Sequence, residues 1–150
     1  MGSRKSARKP DWKIFLGDEA AFGGNWGHVW YGQQVIMAFN PKAHRYRLAT
    51  ALMRKPPPTA AELDKTAEEI RADESWEYVP GSFMMARSLL DLIYSGNGQY
   101  VDKLLDLGWN PKFSDKAKFR TELIECHLRE SSWWPELAEF NGWPALKPNC

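Results

Sequence analysis

The sequence predicts a mainly α fold: an irregular compact bundle of about six helices, with a short β-hairpin as the alternative reading of residues 28–39. Three observations carry that class. Thr59 and Glu62 stand in capping-box spacing ahead of a narrow apolar stripe, Leu63, Ala67 and Ile70. The stretch SFMMARSLLDLIYSG is apolar on nearly every side over the length of a helix. Helix stops recur between such segments, at Pro56–Pro58, Gly96, Gly108 and Asn141-Gly142.

Residues 1–10, MGSRKSARKP, read as a disordered basic arm, and residues 11–150 as a single globular α-rich domain. Gly17, Gly23, Gly24, Gly27 and Gly32 interrupt the next stretch. There Trp26, Trp30 and Met37 would share one face of a helix starting near Asn25, while HVWYG and QQVIMAF have the β-branched and aromatic content of strands. The helical reading is preferred. Asn40 as N-cap and Pro41 at the first helical position predict a helix through residues 42–55. Residues 59–73 read as a surface helix, and ESWEYVPG as a connector. The segment from Phe83 to Ile93, with Met84, Met85, Leu89, Leu90 and Leu92, reads as the central buried helix. A shorter helix carries Val101, Leu104 and Leu105 to Gly108.

Ser114 is the expected cap of DKAKFRTELIECHLRE. At 100° per residue, Phe119, Leu123 and Cys126 fall on one side, with Ala117, Ile124 and Leu128 nearly opposite. Such a helix packs between two neighbours, with Lys118–Glu122 and Glu125–Arg129 pairs on its wet edge. Ser132 opens a last short helix, WWPELAEF.

Net charge is +1, but residues 1–10 carry +4 and leave residues 11–150 at −3. A mildly acidic body counts against duplex binding, which needs a broad basic footprint. No apolar run reaches the ~18 residues of a spanning helix, and charges follow the basic N-terminus where a secretory signal would be apolar, so the expected setting is cytoplasmic. Cys126 and Cys150 are too few for a disulfide framework or a four-cysteine zinc site; a single bridge between them stays open. No metal or cofactor is expected: Cys126, His127 and Glu130 match no ligand spacing.

Eight tryptophans are the compositional exception. Trp133 and Trp134 point about 100° apart on a helix, so one of them should reach the surface. Together with Trp30, His28 and Trp143 they are the candidate partner-binding residues. Gly2 and Ser6 fit the N-myristoylation pattern, with basic neighbours as the second membrane signal. Residues 41–55 carry +5 and residues 56–80 carry −5, which predicts two helices that face each other or steer local packing.

No phosphate-binding loop, nucleophile elbow or triad is legible, and catalysis is the less favoured class. The expected function is a non-enzymatic protein–protein interaction module: an adaptor, inhibitor or assembly accessory acting by surface occlusion with Trp anchors. The alternative is a nucleic-acid-associated accessory using Arg4, Lys5, Arg8, Lys9, Arg45 and Arg47.

Overall fold

From Gln33 the chain enters a sheet rather than the expected helix. The computed structural model describes residues 13–18, 33–113 and 115–150, and places β1 at Lys13–Asp18, β2 at Gln33–Asn40 and β3 at Arg45–Leu48. The strands form an antiparallel meander in that order, with Lys13 opposite Ala38, Asp18 opposite Gln33 and Met37 opposite Leu48. Period-two alternation decides the matter. Val35 and Met37 are buried, while Ile36 and Ala38 are half-buried. The β-hairpin alternative therefore holds for its C-terminal part, and residues 28–32 lie outside the described residues.

The helix expected over residues 42–55 is likewise corrected. The Asn40 side-chain oxygen accepts from the amides of Lys42 (3.0 Å) and Ala43 (3.1 Å), which bends the chain into a turn. His44 completes that turn at φ 49°, and β3 returns along β2. The local hydrogen bonding that suits Asn to an N-cap suits it equally to a turn. Only one helical turn remains in the segment, α1 (Thr50–Met53).

The rest is helical: α2 (Ala60–Arg71), α3 (Phe83–Tyr94), α4 (Val101–Gly108), α5 (Lys116–Arg120) and α6 (Trp134–Phe140). The fold is mainly α with a small sheet. The Thr59–Glu62 capping box is present, and Leu63, Ala67 and Ile70 are the buried residues of α2. Met85, Ala86, Leu89, Leu90 and Ile93 make α3 the centre of the core, although Met84 is exposed. At Gly108 a side chain would come 3.1 Å from Met85 and 3.3 Å from Ile70, so glycine lets α2, α3 and α4 converge.

Beyond Arg120 the chain widens into a π-helical segment, Thr121–His127, and ends in a 3₁₀ turn, Leu128–Glu130. Bonding to the fifth residue aligns positions five apart. Phe119 and Ile124, and Leu123 and Leu128, are thereby all buried, while Ala117 is exposed instead of facing a second neighbour. Glu125 lies 3.7 Å from Arg120, five residues back, rather than pairing with Arg129. The Lys118–Glu122 pair forms as expected, at 3.8 Å.

Two polar side chains join these parts. Glu136 accepts from the Leu48 amide at 2.6 Å and from Arg47 Nε at 3.2 Å, tying the sheet to α6. Asn141 accepts from the Gly98 amide at 2.7 Å and donates to Ile93 and Leu137 carbonyls, both at 2.9 Å. The last residues fold back over α6. Trp134 Nε1 donates to the Leu146 carbonyl at 2.7 Å, and Cys126 and Cys150 are disulfide-bonded with Cα atoms 5.5 Å apart.

Trp134 is buried, 5% exposed, whereas Trp133 and Trp143 are half-buried. Trp134→Ala should therefore cost about 3–5 kcal/mol of stability in urea unfolding, as large-to-small core changes do. Trp133→Ala should cost clearly less. Equal midpoints for the two variants would contradict this difference in burial. Reducing the disulfide should remove about 3.5 kcal/mol, the loop-closure contribution for its sequence separation of 24; an unchanged urea midpoint would contradict that.

Candidate interaction groove

The connector after α2 is held by one carboxylate. Asp73 begins a 3₁₀ turn, Glu74–Glu77, by accepting from the Ser75 amide at 3.1 Å. Its other oxygen accepts from the Ser75 hydroxyl at 2.5 Å and from the Met84 amide at 3.1 Å. Ser75 Oγ in turn accepts from the Phe83 amide at 2.8 Å. Two orphan amides at the start of α3 are thus satisfied from the connector just after α2, and Ser82 satisfies a third by accepting from Met85 at 3.0 Å. Burial alone would raise the Asp73 pKa. Hydrogen bonds from the Ser75 hydroxyl and amide, the Met84 amide and Ser82 outweigh it and hold the carboxyl below its ordinary 3.8.

This pinning sends two neighbouring aromatics in opposite directions. Trp76 is buried and donates from Nε1 to the Ile70 carbonyl at 2.7 Å, closing the end of α2. Tyr78 is 81% exposed. Gly81, at φ 76°, follows; the Phe119 ring occupies the place a Cβ would take, so only glycine fits.

The facing wall comes from the loop after α4. Trp109 Nε1 donates to the Phe113 carbonyl at 2.8 Å. The Trp109 ring meets Trp76 nearly at right angles with centroids 5.0 Å apart, and Phe113 stacks on Trp76 at 5.3 Å. Between the walls runs an open groove of about 440 Å³. Trp76, Tyr78, Val79, Pro80, Trp109 and Phe113 line it, and Glu77, Asp115, Lys118 and Glu122 also contribute.

A second cleft, of about 420 Å³, lies where the sheet meets α6 and is lined by Asn40, Arg47, Thr50, Arg54, Glu136, Glu139 and Phe140. Its cations are engaged. Arg47 pairs with Glu136 and lies 4.0 Å from Glu139, and Arg54 sits 4.8 Å above the Phe140 ring. The expectation that the basic 41–55 segment faces the acidic helix α2 is corrected accordingly: the acids paired with Arg47 belong to α6.

Of the sequence-predicted partner residues, Trp134 and Trp143 come together with ring centroids 6.3 Å apart. Trp134 is a core residue, held beneath the C-terminal segment, and does not present its ring as a surface anchor. Trp133 keeps partial exposure. His28 and Trp30 lie outside the described residues, as do Gly2, Arg4, Lys5, Arg8, Lys9 and Ser114. Arg45 is exposed on β3. Among the described residues, no group of three or more His, Cys, Asp or Glu side chains could hold a metal ion, and no helix is long and apolar enough to cross a membrane.

Trp76, Tyr78, Trp109 and Phe113 were not legible as a site because they come from two connectors. The available signal is the pair Trp76 and Tyr78, two residues apart in ESWEYVPG, of which a packed core can take one. Comparison with protein-family models, with curated proteins and with solved structures finds no match for this chain.

Asp73→Asn should destabilise the protein. Because the folded-state pKa is depressed, the carboxylate contributes its full stability above pH 3.8 and loses it as pH falls through the lower folded value. Urea midpoints of wild type and Asp73→Asn should differ at pH 6, and the gap should shrink as pH falls from 3.8 through the lower folded value. A gap that persists undiminished at low pH would contradict this role.

Proposed function

We propose that this protein is a non-enzymatic interaction module that covers a surface of a partner protein, with the groove between the 72–82 connector and α5 as its docking face. One observation carries the reading: Tyr78, 81% exposed, lines a groove together with Trp109 and Phe113. A large aromatic left in water beside further rings is a feature of binding surfaces, where Tyr and Trp supply much contact area at little entropic cost. Tyr78 and Trp109 take the anchoring role expected of Trp134. The roles of adaptor, inhibitor and assembly accessory share this mode of action.

The nucleic-acid reading draws less support. Arg47 and Arg54 are engaged with Glu136 and with Phe140, which leaves Arg45 as the exposed arginine of β3. Compartment follows from the thiols: a persistent Cys126–Cys150 bond belongs to an oxidising setting, and free thiols to the cytoplasm. Thiol titration of protein taken from its source cells separates the two.

Capture from source cells, with nuclease present, tests the function. A stoichiometric protein should be retained by wild type and by Trp133→Ala, and lost with Tyr78→Ala. Equal retention by Tyr78→Ala would remove the groove from the account. Material that disappears with nuclease would move the function to Arg45 and the N-terminal arm.

A further inference from the structure

Resting on the reading of the groove as a docking face, we infer that its occupant is an arginine side chain on an extended segment of the partner protein. The groove joins two features that favour one ligand chemistry. The first is aromatic: Tyr78, Trp109 and Phe113 are among the lining residues, and aromatic ring faces are electron-rich and attract a cation placed over them. The second is electrostatic. Glu77, Asp115 and Glu122 line the groove against Lys118 alone, and Lys118 lies 3.8 Å from Glu122. Among the described residues, Glu77 and Asp115 enter no ion pair.

These two carboxylates discriminate between occupants. An uncharged apolar segment would take water from Glu77 and Asp115 without replacing it, which is costly. A phosphorylated or acidic segment would be repelled. An arginine meets both needs, because its planar guanidinium stacks on an aromatic face and pairs with a carboxylate in the same pose. The volume of about 440 Å³ falls within the range of pockets that bury a small ligand, so neighbouring residues of the segment are seated as well.

The probe is a ten-residue glycine–serine peptide carrying three arginines, set against the same peptide with citrulline, the neutral isostere, at those positions. Binding to the full chain is followed through the indole N–H resonance of Trp109. The arginine peptide should bind about tenfold more tightly than the citrulline peptide. Glu77→Gln and Asp115→Asn should each weaken it about three- to tenfold without changing the fold, since both side chains are exposed and Asn tolerates the left-handed backbone at Asp115. Binding should also weaken as salt rises.

Equal binding of both peptides, abolished by Tyr78→Ala, would overturn the arginine inference and leave the docking face standing. The same holds if neither peptide shifts Trp109 while a captured partner still depends on Tyr78. Absence of both peptide binding and any Tyr78-dependent partner would overturn both.

Discussion

The Asp73 carboxylate is the constraint on which the candidate site depends. Through Ser75 it fastens the end of α2 to the first amides of α3, so the intervening chain is pinned at both ends. A pinned connector cannot bury both of its aromatics. Trp76 enters the core and closes α2, and Tyr78 is left outside. The same fixing lays Gly81 on the Phe119 ring, which brings the connector against α5 and forms one wall of the groove. Buried and partly buried hydrogen bonds of this kind add modest net stability each, but leaving their donors unpaired is costly. They therefore select one arrangement of the connector more strongly than they stabilise the protein.

A second, separate constraint joins the sheet to α6. The Glu136 carboxylate spans from α6 to the backbone and side chain of β3, and Asn141 fastens α6 to the turn after α3. The consequence is a redistribution of charge. Arginines that look like a phosphate-binding run in the sequence are partly consumed in holding the sheet and the bundle together. The groove, by contrast, keeps carboxylates without partners among the described residues. The lining of the groove is thus acidic and aromatic rather than basic.

The helices α2, α3, α4 and α6 were legible because local chemistry decides them. A capping box, a stripe at helical spacing and a glycine stop lie within one short window each. Residues 33–48 were not, because Asn40-Pro41 starts a helix or a turn with the same side-chain hydrogen bonds. The decision came from pairing with Lys13–Asp18, distant in sequence. The π segment defeated an angular reading fixed at 100° per residue, moving Ala117 out and pairing Glu125 with Arg120. The surface position of one of two adjacent tryptophans was legible, and which of them was not: Trp134 is claimed by a carbonyl in the C-terminal segment. The groove itself joins residues 76–81 to residues 109–122, a juxtaposition that no local window contains.

The connector is a preformed scaffold rather than a loose loop that could present either aromatic. Exchange of the Trp76 indole N–H with solvent deuterium, followed by NMR in the unliganded protein, tests it directly. Donation from Nε1 to the Ile70 carbonyl inside the core predicts exchange as slow as that of the central amides of α3, through global unfolding alone. Rapid exchange of that proton while the α3 amides remain protected would mean that the connector opens on its own, and would contradict the account.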